Sequence, residues 1–191
     1  MPTGRLEAFS DGVLAILLTI MVLELKVPHG SDLGALHEVL PAFCAYVLSF
    51  IFIGIYWNNH HHMLNTVEQV SGGILWANLH LLFWLSLVPV TTAWMGEHHL
   101  APVPTAAYGV VLFAAGVAYL ILQLAIERKQ GPNSKLRALI GRDVKGKLSA
   151  GLYAVAIALA FVHTLLAQAI YACVALTWLI PDRRIESRLA D

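Results

Sequence analysis

The sequence predicts an all-α membrane protein with six transmembrane helices, and three observations carry that prediction. Of 191 residues, 58% are hydrophobic and 13% charged, against roughly one charged residue in four for soluble domains. The apolar residues are gathered into stretches of spanning length. Eleven of the twelve Lys and Arg residues fall at Arg5, in the segment 127–147 or in the tail "PDRRIESRLAD". An even number of spans puts those three places on one side of the membrane. Formal net charge is zero, so no basic surface for nucleic acid is indicated. The two cysteines, Cys44 and Cys173, lie in apolar stretches and lack the spacing of a disulfide framework or a metal site.

A span takes about 20 mainly apolar residues. The first covers residues 6–27. Only Arg5 precedes it, Asp11 interrupts it and no small-x-small cleavage site follows, so it reads as a retained helix rather than a signal peptide. The next three cover 38–58, 73–95 and 103–126. After the basic stretch, the apolar run from Leu148 to Ile180 is too long for one span and short for two. "VHTLLAQ" in its middle is the natural break, giving 147–162 and 164–181. Five spans would put the basic tail outside. Six put both termini in the cytoplasm under the positive-inside rule, with Lys26 alone on the other face. Residues 1–191 read as one transmembrane domain without internal repeat.

The first helix carries two different faces. At about 100° per residue, Ile16 and Leu23 lie within about 60° of Ile20, with Phe9, Val13 and Val27 in the same sector. Asp11 falls about 180° away, on the opposite face. A carboxylate at depth turns toward protein or water. Helix 2 ends in "YWNNHHHML" and helix 3 carries Asn78 and His80. By the alternation of spans, Asp11, Asn59, His60, His61 and Asn78 share one depth, near the cytoplasmic surface. Asp11 can therefore accept hydrogen bonds from imidazole or amide groups of helices 2 and 3. Plain solvation at the interface is the competing reading.

The triplet His60–His62 does not read as a metal site, because neighbouring helical residues diverge by about 100°. Glu7 and Asp11 stand four apart without a third catalytic partner. Pro89, with Thr91 and Thr92, reads as a kink whose freed carbonyls are re-satisfied. Gly109 and Gly116, with Ala114, Ala115 and Ala118, read as a close-packing face.

These residues together resemble the transmembrane protein 175 family, the lysosomal-type potassium channels and their prokaryotic relatives. Arg5, Phe9, Ser10, Asp11 and Gly12 match the family's "R-x-x-x-F-S-D-G" signature on helix 1. The likeness continues through "GIYWNNHHHML" (Trp57, Asn59, His60, His61), "NLHLLFWLSLVPVTT" (Asn78, Leu82, Pro89, Thr92) and the closing "WLIPDRRIE". The resemblance implies a potassium-permeable cation channel, six helices per repeat, with the pore lined by helix 1. A single repeat implies a homotetramer, with one copy of helix 1 from each subunit around the axis. The family's constriction layers match Ile16, Ile20 and Leu23, and a family threonine associated with cation selection matches Thr19. Arg5, Phe9, Ser10, Asp11, Trp57, Asn59, His60, His61 and Asn78 then form the clamp that holds the pore helix. His62 departs from the family, which often has a basic residue there. Glu24, about 40° from Ile20, is no family hallmark; it stands either at an outer mouth that concentrates cations or as an interfacial acid beside Lys26.

The resulting expectation is a channel gated by apolar rings, in a prokaryotic plasma membrane, with no cofactor besides the permeant potassium ion and no enzymatic activity. No "TVGYG"-like filter loop is present, so selectivity over sodium should be modest. The stripe has a plainer reading as packing surface against neighbouring helices. The alternative function is a proton-coupled secondary transporter using Asp11 and the helix 2 histidines.

Overall fold

The computed structural model describes residues 3–141 and 143–179, and those residues contain helices and turns but no strand. The elements are α1 (Thr3–Leu23), α2 (Leu33–Leu64), α3 (Gly72–Ser86), α4 (Val88–Glu97), α5 (Pro102–Gln130), α6 (Lys135–Ile140), α7 (Val144–Leu159) and α8 (Thr164–Leu179). Arg142 and everything beyond Leu179, including the basic tail and most of "WLIPDRRIE", lie outside the described residues.

Four helical segments are long and apolar enough to cross a bilayer: Thr3–Leu23, Leu33–Leu64, Gly72–Glu97 and Pro102–Gln130. Helices α7 and α8 have 16 residues each, or about 24 Å at 1.5 Å per residue, short of the ~30 Å hydrocarbon layer.

Capping and proline set helix ends that hydropathy does not mark. Helix α2 begins five residues before its apolar stretch because Asp32 caps it, accepting the Ala35 N–H at 3.3 Å. It then continues through the polar "NNHHH". Helix α1 stops at Leu23, and Leu25 N–H turns back to the Val22 carbonyl at 3.3 Å. Pro28 follows, disfavouring helical geometry in its predecessor. Val27 therefore lies past the helix and leaves the stripe that a continuous 100° count assigns to it. Segment 72–97 breaks at Leu87, two residues before Pro89. The Thr91 and Thr92 hydroxyls donate to the Leu87 carbonyl (3.0 Å) and the Val88 carbonyl (2.7 Å). The carbonyl that Pro89 leaves without a helical donor belongs to Leu85, one turn back, so these hydroxyls steady the new helix and do not repair the old one.

Helix α5 is the centre of the subunit. It packs against α3, α4, α7 and α8, while α1 packs against α2, α3 and α4. One apolar core joins α1, α2, α3 and α5; a second joins α2, α5, α7 and α8. A buried hydroxyl chain stitches three helices together: with the Thr92 proton on the Val88 carbonyl, Thr92 Oγ1 accepts from Ser49 Oγ at 2.7 Å, and Ser49 in turn meets the Tyr108 hydroxyl at 2.9 Å. Helix α1 thus sits at one edge of the bundle and the α7–α8 pair at another.

Candidate pore helix and its anchors

Helix α1 is buried on one side only. Leu6, Ser10, Leu14, Leu17 and Met21, spaced by three or four residues, face the subunit and are at most 5% exposed. The adjoining sector, about a third of a turn round, carries Ile16 (58% exposed), Ile20 (40%) and Leu23 (81%), with Phe9 and Thr19 also exposed. An amphipathic helix in water would show polar residues there. This one shows branched apolar side chains there, while Val13 of the same sector is half-buried against the core.

The buried side is held by a directed hydrogen-bond chain. Asn78, fully buried on α3, donates from Nδ2 to Ser10 Oγ at 3.0 Å. Ser10 donates in turn to the Leu6 carbonyl at 2.8 Å. The other end of the Asn78 amide, Oδ1, lies 2.7 Å from His60 Nε2. An amide oxygen only accepts, so the imidazole carries its proton on Nε2. Three helices meet in this chain and every member is satisfied. A buried polar group that loses its partner costs about 1–3 kcal/mol, which gives the chain its hold on α1. A further tie lies at the helix start, where Thr3 Oγ1 donates to the Val67 carbonyl at 2.7 Å.

Asp11 is placed otherwise than the sequence reading expected. Its carboxylate accepts the Trp57 indole N–H of α2 at 3.0 Å in an exposed setting, while buried Asn78 bonds Ser10 and buried His60 bonds Asn78. The physical reason is angular. Ser10 precedes Asp11 by one residue, and that 100° step turns serine into the bundle and aspartate out along its flank. His61 stacks on Trp57 with ring centroids 6.3 Å apart and bonds Asn65 at 3.0 Å. Asn59 bonds the Ile55 carbonyl of its own helix at 2.8 Å, away from α1. Arg5 is exposed. So Ser10, His60 and Asn78 come together, Asp11 and Trp57 form a second contact, and Arg5 and Asn59 join neither. Thr3 was missed; a threonine next to an end of a predicted helix was the available signal.

The Asp11–Trp57 contact makes a measurable prediction. Trp57→Phe keeps an aromatic ring beside His61 but removes the donor. It should cost about 1 kcal/mol, or ~2–4 °C in the thermal midpoint of a chain this long. A thermal scan of the purified variant checks it, and an unchanged midpoint would show that the bond holds nothing.

At the other end of α1, Glu24 is exposed, and Lys26 forms an ion pair with Glu97 at the end of α4. The Glu97 carboxylate holds the Lys26 ammonium above the ordinary lysine range. These three residues line a cleft of about 780 Å³ together with Glu38, His98 and His99. Both members of the pair are exposed, so salt should screen it. Lys26→Ala is expected to lower thermal stability only at low ionic strength; a loss that persists in high salt would contradict this.

Residues 5–89 match the family model described as "Endosomal/lysosomal potassium channel TMEM175". A potassium channel of Chryseobacterium sp. (strain P1-3) is 55% identical over 191 residues, covering the whole of both chains. The chain belongs to the TMEM175 family. A potassium channel of Streptomyces collinus is 34% identical over 185 residues, covering 91% of this chain and 90% of the relative. The crystal structure of a lysosomal potassium-selective TMEM175 homolog from Chamaesiphon minutus superposes with a TM-score of 0.80 at 28% identity, over 93% of this chain and 96% of the other. This TMEM175 family member is an integral membrane protein, with four helices long and apolar enough to cross a bilayer.

Proposed function

We propose that this TMEM175 family member is the subunit of a potassium-permeable cation channel, not an enzyme, whose pore is lined by α1. One observation carries the reading: α1 is anchored along one sector and leaves Ile16, Ile20 and Leu23 exposed in the next. Six spans per subunit, over residues 1–191, and a homotetramer complete it. Closed symmetry brings the bare faces around one axis. Rings of branched apolar side chains then exclude water and block ions until the pore widens.

Other residues take roles in the same scheme. Thr19 Oγ1 donates to the Ile16 carbonyl at 2.8 Å. Its hydrogen is thereby turned to the helix and its oxygen lone pairs face outward, as a passing cation needs. Ser10, His60 and Asn78 form the inner clamp, and Asp11 with Trp57 the outer one. Arg5, Phe9, Asn59 and His61 belong to the surround. Glu24 stands where an outer mouth concentrates cations. Potassium is the permeant ion, favoured modestly over sodium, and both termini face the cytoplasm of a prokaryotic cell. The transporter alternative needs Asp11 and a histidine to exchange a proton, whereas Asp11 meets Trp57 and His60 meets Asn78.

The test is current from purified protein in a lipid bilayer under opposed potassium and sodium gradients. A cation current reversing moderately toward the potassium potential is expected. Silence from verified tetramers would overturn the channel, and a near-ideal potassium reversal would overturn modest selectivity.

A further inference from the structure

Gly109 and Gly116 sit two turns apart on α5 and look alike in sequence. Their surroundings are opposite. A Cβ on Gly109 would run into the Tyr171 ring at 2.8 Å and Ile157 at 2.9 Å, whereas a Cβ on Gly116 would meet only the Tyr56 hydroxyl, at 3.8 Å. Gly116 does not bring helices together. It lines a cavity of about 180 Å³, open to the surroundings, between α2, α5 and α7.

The lining of that cavity is mostly apolar, with Phe52, Phe113, Val117 and Ala150 among its walls. Lys147, in the first turn of α7, stands at the mouth and is exposed. The acid nearby, Asp143, turns its carboxylate onto its own helix start, accepting the Gly146 N–H at 3.0 Å. Trp178 closes one end by donating to Ser149 Oγ at 2.8 Å. An apolar cavity near 150 Å³ stays dry and takes a hydrocarbon guest such as benzene. In a bilayer the abundant hydrocarbon is the acyl chain, and it arrives attached to a phosphate.

We infer that this cavity is a phospholipid site: an acyl chain enters over Gly116, and its phosphate meets Lys147 at the mouth. The lipid comes from the leaflet on the side of the α7 N-terminus. The site lies at the α7–α8 edge of the subunit, apart from α1, so the inference does not depend on where the pore runs.

The test uses full-length protein in phosphatidylcholine vesicles doped with phosphatidylglycerol bearing a diazirine on its acyl chain. After irradiation, labelled peptides are mapped by mass spectrometry. Labelling should concentrate on residues 113–120 and 150–153. Gly116→Leu and Ala150→Leu fill the cavity from opposite walls, so one can fail to fold without spoiling the test. Each folded variant should abolish labelling there and leave it unchanged elsewhere. Lys147→Gln should reduce cavity labelling about fivefold, the effect expected of one lysine on an anionic lipid. Labelling no richer in the cavity than on the rest of the chain, or untouched by both filling variants, would overturn the site. Labelling indifferent to Lys147→Gln would overturn the phosphate contact. Capture of a second copy of the chain at residues 113–120 in place of lipid would also overturn it.

Discussion

Ile16→Ser should raise single-channel conductance about tenfold or more. The side chain is 58% exposed and touches little of its own subunit, so the substitution should cost the fold no more than about 0.5 kcal/mol. In a tetramer one substitution changes a whole ring. A hydrophobic constriction works because water leaves it, and a ring of hydroxyls keeps water in place. Lowering the barrier by only about 1.4 kcal/mol is tenfold in rate. The control lies on the same helix: Leu14 is 2% exposed, so Leu14→Ser should weaken the subunit without opening the pore. Bilayer recordings of both variants check the pair. An Ile16→Ser protein that folds, assembles and conducts like the parent would remove the constriction from this face.

Gly109→Ala should lower the thermal midpoint by several degrees while Gly116→Ala leaves it unchanged or slightly raised. In an open helical position alanine outperforms glycine by about 1 kcal/mol, which is the expectation for Gly116. At Gly109 the added methyl meets the Tyr171 ring. That ring has no room to retreat. It is fully buried, lies 5.6 Å from Tyr108 centroid to centroid, and its hydroxyl donates to the Thr105 carbonyl at 3.2 Å. Overpacking of this kind costs about 1–3 kcal/mol, sometimes more, or several degrees at roughly 2–4 °C per kcal/mol for a chain of this size. Thermal scans of the two purified variants decide it; equal midpoints would refute the contrast.

The two glycines also show where sequence reading ends. Both fit a small-residue helix face, and for Gly109, Ala115 and Ala118 that is the outcome: the alanines are fully buried and the glycine admits Tyr171. Nothing local distinguishes Gly116, because what stands opposite it comes from α2 and α7. Asp11 teaches the same point on a finer scale. Its depth and the helices beside it were legible. Its partner was not, because a one-residue rotation decides whether the serine or the aspartate faces the buried asparagine.

By itself the sequence determined the membrane class, the four long apolar helices, the family and the apolar stripe on α1. Those depend on composition, period and local signature, which are properties of the chain alone. Only the tertiary structure decided that Ile16, Ile20 and Leu23 of the stripe stay exposed while Val13 packs inward, that Ser10 rather than Asp11 joins the buried chain to His60, and that Gly116 lines a cavity where Gly109 closes a contact. Each of those depends on side chains from helices distant in sequence arriving at one place, and angle and depth along a single helix do not specify what arrives.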